Sequence, residues 1–257
     1  MKSCVFIGPS GRGIPHPPGI DMLGPARLGS VHQAVLAGYK RIALVDAYFG
    51  NVPSVWHKEL LFAIASGCEV WGSSSTGALR AAELDVYGMR GIGAAYRLFR
   101  RGALSGEDEP CLLHGDHASG YIHLTYPMLN IRSTLRTMRR LGYFGASAEE
   151  DFTREMKLIH FTERSQEAVR QVFQEHVGAS SNSLWQRFVS AYTDMKKQDT
   201  CALYRALERS SALTGTLPQN WQFPRTTFWV RQFIAHNDDF PPLEGDYAST
   251  GASIWRA

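Results

Sequence analysis

The chain has 257 residues, of which 44% are hydrophobic and 20% are charged, and its formal net charge is +3. This balance is typical of a globular protein whose core can be sizeable, and the small net charge argues against a nucleic-acid binder with a basic surface. No run approaches 18 apolar residues, and the N-terminus lacks the basic and apolar regions of a signal peptide, so we expect a cytoplasmic protein that does not bind a membrane.

The first elements predicted are a buried strand and a loop. Residues 3–8 are a short apolar run ending in glycine, and residues 9–18, which include Ser10, are rich in glycine and proline. The stretch G-P-S-G-R-G lacks the Gly-Lys-Ser/Thr ending of a P-loop and the spacing of a dinucleotide fingerprint. We therefore expect a loop at the rim of a site, or a plain loop, with Ser10 as a supporting residue.

A second strand is predicted over residues 41–46, after a helix over residues 28–38. The strand is an almost continuous apolar run that ends in Asp46, the pattern of a parallel strand buried on both faces. Open α/β sheets bind ligands at the carboxyl ends of their strands. Asp46 is therefore a candidate site residue or, alternatively, an aspartate that caps a helix or braces a loop.

The next helix is predicted to begin at Pro53 and to end at Gly67. Its apolar positions recur at helical spacing, and Lys58 lies in the same stripe as Val55 and Phe62. A lysine held in an apolar stripe is desolvated, which favours the neutral amine and makes the side chain available as a general base. Alternatively, the lysine extends from the edge of the stripe into solvent.

A strand over residues 68–71 then breaks at Gly72 into three serines, and helix formers follow over residues 78–86. Such a turn places hydroxyl groups beside the unpaired N–H groups and the positive dipole end of a helix, where negative charge on a bound group is favoured. Ser75 is the candidate nucleophile of this turn.

Two charged residues follow the serine turn on one helix face. Arg80 and Glu83 are three residues apart, so they can form an intrahelical ion pair, or Arg80 can brace the turn and bind an anionic group. His57 and Glu59 flank Lys58 and, taken alone, are typical of capping or surface residues. We assign His57 and Glu83 supporting roles.

Metal and cofactor sites are not expected. The acidic residues 107–109 and the histidines that follow them lack regular ligand spacing, and the four cysteines are scattered without a CxxC pair. Cys4 and Cys68 fall in predicted buried strands, where a reduced thiol acts as a small hydrophobic group, and all four cysteines are expected to be structural.

From residue 130 onward the chain consists of amphipathic stretches separated by short breaks. Helices are predicted over residues 130–141, 148–160, 165–177, 183–195, 200–213 and 226–236. We therefore expect an α/β fold with a small, mostly parallel sheet and flanking helices, followed by a mainly helical C-terminal half. The predicted division is a core over residues 1–128 that carries the site, a helical region packed on it over 129–237, and a loop-like tail over 238–257.

Several of these segments together resemble the core of a TfuA-like protein. The segments are F-I-G-P-S at 6–10, V-D-A-Y-F at 45–49, V-W-H-K-E-L-L at 55–61, S-T-G-A-L-R-A-A-E-L at 75–84, G-M-R-G-I-G at 88–93 and E-D-E at 107–109. Three positions depart from the family pattern: Thr76 stands where methionine is common, Ala47 where glycine is common and Pro110 where valine is common. None of these departures removes a catalytic group.

The resemblance implies a function beside YcaO enzymes, which convert a peptide-backbone amide to a thioamide. TfuA-like proteins are similar to hydrolases with a Ser-Lys pair that release sulfide from a ThiS-like carrier protein ending in a thiocarboxylate, and they help YcaO to engage its precursor peptide. The family serine corresponds to Ser75 and the family lysine to Lys58.

The expected chemistry is acyl transfer through a tetrahedral oxyanion. Lys58 would take the proton of Ser75, the N–H groups of Thr76 and Gly77 would receive the oxyanion, and Arg80 would bind the anionic substrate. A working pair requires the Lys58 amine to lie within about 3 to 4 Å of the Ser75 oxygen.

Two other functions fit the sequence. A non-catalytic scaffold would bind YcaO or its peptide, with Ser75 merely capping a helix. A serine hydrolase for small acyl substrates is a third possibility, but the chain lacks a Gly-x-Ser-x-Gly elbow and an obvious His-Asp pair.

Overall fold

The computed structural model describes residues 1–50, 52–177, 182–210, 221–235 and 243. The chain divides into two compact units, one made of Met1–Ala103 with Lys197–Ala257 and the other of Leu104–Lys196. These boundaries differ from the predicted 1–128, 129–237 and 238–257, because the chain returns to the first unit after residue 196. The tail predicted over 238–257 lies, apart from Leu243, outside the described residues.

Strands and helices alternate through the first hundred residues, and helices follow. The strands are β1 (Ser3–Phe6), β2 (Asp21–Leu23), β3 (Arg41–Leu44), β4 (Glu69–Ser73) and β5 (Arg90–Ile92). The helices are α1 (Ser30–Leu36), α2 (His57–Ala65), α3 (Thr76–Leu84), α4 (Ala94–Arg100), α5 (Met128–Arg140), α6 (Ala146–Leu158), α7 (Gln166–Val177), α8 (Asn182–Ser190), α9 (Met195–Arg209) and α10 (Thr227–Trp229). Short 3-10 turns span Pro9–Gly11 and Asp85–Tyr87, and a π-helical turn spans Val230–Ala235.

All five strands form one parallel sheet in the order β2-β1-β3-β4-β5. Parallel pairing brings the carboxyl ends of β1, β3 and β4 to the same edge, which is where ligands bind in open α/β sheets. The predicted α/β fold with a helical C-terminal half is confirmed. The edge strands β2 and β5 were not predicted, because each has only three residues.

The two faces of the sheet have different coverings, as the alternation of side chains along β3 demonstrates. On one face Ile42 is fully buried in a core shared with Leu60 of α2. On the other face Arg41 pairs with Glu69 at 2.6 Å and donates to the carbonyl oxygen of Leu207 in α9 at 3.2 Å. Both charges of this ion pair are buried, and Glu69 Oε1 also lies 3.4 Å from Arg90 Nη1, so the carboxylate has two cationic partners.

Helix α2 begins at His57 rather than at Pro53, so the predicted start is wrong. The carbonyl oxygen of Pro53 accepts a hydrogen bond from the Leu28 N–H at 2.8 Å, which holds this segment as a loop. The helix instead starts where Glu59 Oε1 accepts the Trp56 N–H at 3.0 Å. This capping contact at the third helical position outweighs the preference of proline for the first.

The buried face of α2 also differs from the predicted stripe. The buried residues of the helix are Glu59, Leu60, Ala63 and Ile64. Lys58 and Phe62 are only partly buried. The predicted stripe included Val55, which precedes the helix, and so its phase was shifted away from the true core face.

Glu59 is a buried carboxyl group that joins the starts of α1 and α2. It is 0% exposed, and its carboxylate accepts the backbone N–H groups of Trp56 at 3.0 Å and His32 at 3.4 Å. Burial raises the pKa of Glu59 to about 7, although nearby backbone N–H groups lower it. The unfolded chain therefore ionises at this position at lower pH than the folded protein does.

The raised pKa of Glu59 predicts a stability change with pH. The contribution of Glu59 to the free energy of unfolding is fully present below about pH 4.5. It falls by about 3 kcal/mol as the pH rises to about 7, and it is constant above that pH. We expect Glu59→Gln to remove this fall. The measurement is urea unfolding of wild type and variant at pH 4.5 and at pH 8, which gives the change in the free energy of unfolding between the two pH values. The exposed Glu208→Gln variant is the control. An equal pH slope in wild type and Glu59→Gln would contradict the prediction.

The second unit is helical, with a core of apolar side chains from α5, α6, α7 and α8. This core contains Met128, Ile131, Leu135, Met138, Phe152, Met156, Val169, Val172, Phe173, Trp185 and Phe188. The acidic stretch 107–109 begins the unit as an ion-pair network. Arg132 donates two hydrogen bonds of 2.9 Å to Glu109, and Asp108 pairs with Lys157 and Arg164. These two carboxylates are therefore engaged by cations of the same unit.

No helix within the described residues is long and apolar enough to cross a membrane.

Candidate active site

The chain reverses sharply between β4 and α3. Ser74 has a positive φ of 65°, and the Ser75 N–H donates to the carbonyl oxygen of Ser73 at 2.9 Å. This is a γ-turn with a non-glycine residue in the left-handed region, a strained arrangement. Strain of this kind concentrates at functional sites, which makes the serine turn a candidate site.

Two glycines permit the close packing around this turn. A Cβ on Gly77 would lie 1.8 Å from the carbonyl oxygen of Leu44, and one on Gly72 would lie 2.1 Å from the carbonyl oxygen of Gly77. Both approaches are too short for any side chain. Helix α3 therefore starts in direct backbone contact with the carboxyl end of β3.

The hydroxyl groups of Ser73 and Ser75, at the two ends of the turn, differ in their hydrogen bonding. The Ser73 Oγ lies within hydrogen-bond distance of the carbonyl oxygens of Ile92 (2.9 Å) and Asp199 (3.0 Å), so its role is structural. Ser75 occupies the position before α3 but its side chain caps no helix N–H. No described residue hydrogen-bonds the Ser75 hydroxyl. Ser75 is 6% exposed, so its hydroxyl is largely buried without a described partner.

The two expected oxyanion donors differ in availability. The Gly77 N–H donates to the carbonyl oxygen of Val45 at 3.1 Å. Because this N–H already has an acceptor, the structure does not support the predicted oxyanion role of Gly77. The absence of a side chain at Gly77 instead allows α3 to approach β3 closely. Thr76 is the first residue of α3, where an N–H has no intrahelical partner. Among the described residues none accepts a hydrogen bond from it, so Thr76 remains the candidate donor.

Lys58 lies in the first turn of α2 and is partly buried. Its Nζ donates to Thr226 Oγ1 at 2.8 Å and lies 5.7 Å from the ring centre of Phe223. No hydrogen bond joins Lys58 to Ser75 in the described part of the chain. The lysine is thus held by a segment far along the chain, and the sequence had not indicated that contact.

Three other predicted residues form one polar cluster. Glu83 Oε2 is 2.7 Å from His57 Nε2 and 2.8 Å from Arg80 Nη1, and the last two atoms are 3.2 Å apart. Burial raises the pKa of Glu83, but the hydrogen bonds from His57 and Arg80 outweigh it and lower the pKa overall. The predicted Arg80–Glu83 ion pair is present within α3, and the contact of Glu83 with His57 links α3 to the start of α2.

Residues 46–165 match the family model for TfuA-like proteins. The match confirms the resemblance seen in the sequence, and the matched region contains Lys58, Ser75, Arg80 and Glu83. No curated protein matches the chain.

Asp46, the first residue of the TfuA-like region, braces a loop. Its Oδ2 accepts the N–H groups of Gly8 (3.0 Å) and Ser10 (2.9 Å), and its Oδ1 accepts the Ser10 hydroxyl at 2.7 Å. The loop-bracing alternative for Asp46 is therefore the one that the structure supports. Ser10, predicted as a supporting residue, is its partner.

Asp199 lies outside the TfuA-like region and supports the serine turn, and no motif or spacing had pointed to it. Its carboxylate accepts the N–H groups of Ala94 and Ala95, both at 2.7 Å, at the start of α4. Its carbonyl oxygen is also a partner of the Ser73 hydroxyl. Burial raises the pKa of Asp199, although the two N–H bonds lower it. Asp199 thus ties α9 to the strand that carries the serine turn.

The described residues include one group of side chains that could hold a metal ion. Within the described residues, the group of possible ligands that lie close enough to hold an ion is Glu155, Glu175 and His176, and His176 already pairs with Glu155. All three residues belong to the second unit.

Proposed function

We propose that this protein hydrolyses a thiocarboxylated sulfur carrier of the ThiS type and so supplies sulfide to a YcaO enzyme that thioamidates a precursor peptide. The match of residues 46–165 to the TfuA-like family supports the association with YcaO. The observation that carries the proposed chemistry is the Ser75 hydroxyl, which lies at the start of α3 and caps no N–H of that helix.

The proposed reaction begins with attack of Ser75 Oγ on the thiocarboxylate carbon while Lys58 takes the hydroxyl proton. The C–S bond then breaks, and the sulfur leaves as hydrogen sulfide anion with the proton that Lys58 returns. Water cleaves the resulting ester, which restores Ser75 and releases the carrier as a carboxylate. The net reaction consumes one water for each sulfide and needs no oxidant or reductant.

The surroundings of Ser75 favour an anionic substrate and an anionic intermediate. The N-terminus of α3 is the positive end of the helix dipole, and the Thr76 N–H is free of described partners. One such donor typically supplies about 3 kcal/mol of transition-state stabilisation. Arg80 lies on the same helix, but its charge is balanced by the ion pair with Glu83, so the helix dipole and the Thr76 N–H are the groups that favour negative charge here.

The test is an assay of sulfide release from a carrier that carries a C-terminal thiocarboxylate. We expect the purified protein to release sulfide and to convert the carrier to its carboxylate form, followed by mass spectrometry. A carrier made as the carboxylate is the blank. If the protein binds YcaO or the precursor peptide but leaves the thiocarboxylate intact, the hydrolase proposal fails and the non-catalytic scaffold is the better assignment.

A further inference from the structure

The described segment 221–235 lies against α2 through aromatic side chains. The ring of Phe223 is 5.7 Å from that of Phe62, and the ring of Trp229 is 5.3 Å from it. Phe223 and Trp229 are also in contact with each other, 5.0 Å between ring centres. Trp229 is only 1% exposed, so this part of the segment is anchored in the first unit.

Thr226 lies between these two aromatic anchors. It precedes α10, and its Oγ1 accepts the Trp229 N–H at 3.3 Å. The same oxygen accepts the Lys58 amine at 2.8 Å. A hydroxyl oxygen has two lone pairs, so these two donors occupy its acceptor capacity. Lys58 therefore donates one N–H to Thr226 Oγ1.

Phe223 supplies the second contact to the lysine. Lys58 Nζ lies 5.7 Å from the centre of the Phe223 ring, within the range of a cation–π interaction. The amine is thus held by a hydroxyl and by a ring face that come from one anchored segment. We call Thr226 and Phe223 the lysine clamp.

We infer that the lysine clamp is a positioning device for Lys58, and that Thr226 is a positioning residue of the reaction. The inference rests on the proposed function, in which Lys58 is the base. A lysine side chain has several rotatable bonds, and a base that samples many positions is a poor catalyst. Both clamp residues lie outside residues 46–165, so the TfuA-like region alone does not supply this part of the site.

The first test measures the clamp without using the reaction. The method is competitive acetylation with acetic anhydride, followed by mass spectrometry, with Lys40 as the internal reference. Lys58 of the Thr226→Val variant should be acetylated about fivefold faster than Lys58 of wild type, because one hydrogen bond to its amine is lost. Thr227→Val, an exposed neighbour with no described side-chain partner, should react like wild type. Equal Lys58 reactivity in Thr226→Val and wild type would overturn the clamp.

A second variant covers the case in which Thr226→Val loosens the segment. Phe223→Leu keeps an apolar side chain against Phe62 but removes the ring face, and it should also raise the acetylation of Lys58. Near-UV circular dichroism reports whether Trp229 keeps its environment. A Phe223→Leu protein with a native spectrum and unchanged Lys58 reactivity would equally overturn the inference.

The activity test then separates positioning from other roles. Sulfide release by Thr226→Val should fall about fivefold and its pH–rate profile should shift, while Thr226→Ser, which retains the hydroxyl, restores both. Faster release by Thr226→Val would mean that the clamp restrains Lys58, and that result would contradict positioning. If wild type releases no sulfide, the proposed function fails, whereas the acetylation result still decides whether Lys58 is clamped.

Discussion

The Ser75→Ala variant is expected to release sulfide from a thiocarboxylated carrier at least about 10³-fold more slowly than wild type, because loss of a nucleophile removes the covalent route. The fold should be retained. Ser75 caps no helix N–H, and its hydroxyl has no partner among the described residues, so its removal should change the free energy of unfolding by no more than about 0.5 kcal/mol. Sulfide release and urea unfolding of the same preparations provide the two measurements.

Two further variants identify the attacking oxygen and its base. Thr76→Val keeps the shape and the N–H of the neighbouring residue but removes its hydroxyl, so it should retain most of the rate. Lys58→Ala should lower the rate by about 10² to 10⁴-fold, the usual contribution of a general base. A Ser75→Ala protein with wild-type activity would exclude this serine, and loss of activity in Thr76→Val alone would assign the attack to Thr76.

The order of strands and helices in the first hundred residues was predictable because each buried strand is a short apolar run that ends at glycine or at a polar residue. The start of α2 was not, because Pro53 and Glu59 each offer a local start signal, and the contact of Glu59 with the His32 N–H of α1 is a distant one. The short edge strands carried too few residues to give an alternating pattern.

The same distinction between local and distant contacts applies to the candidate site. The position of Ser75 at a helix start and the Arg80–Glu83 ion pair follow from spacing within one segment. The contact between Lys58 and Thr226 joins residues 168 positions apart. No spacing rule predicts such a contact, because it depends on where a C-terminal segment docks. The hydrogen bond of the Gly77 N–H was equally unpredictable, since its acceptor, the carbonyl oxygen of Val45, lies just after β3 and far from Gly77 along the chain.

The Gly77→Ala variant is expected to have the largest effect on stability of any single methyl group added at the serine turn. The new Cβ would lie 1.8 Å from the carbonyl oxygen and 2.5 Å from the carbonyl carbon of Leu44. These are backbone atoms of β3, in the middle of the sheet, so neither can move aside as a flexible side chain can. We expect the free energy of unfolding to fall by at least about 4 kcal/mol, or the protein not to fold.

Gly145→Ala is the matched control, because a Cβ there meets no atom within 4 Å and the residue has a φ of −86°. It should cost no more than about 1 kcal/mol. Urea unfolding of both variants gives the comparison, and a Gly77→Ala protein as stable as Gly145→Ala would mean that α3 does not start against β3. If Gly77→Ala does fold, α3 must have moved away from the sheet, and Ser75, which immediately precedes that helix, must have moved with it. Sulfide release should then fall even in the folded fraction, because the nucleophile and the Thr76 N–H depend on the close approach that only glycine allows.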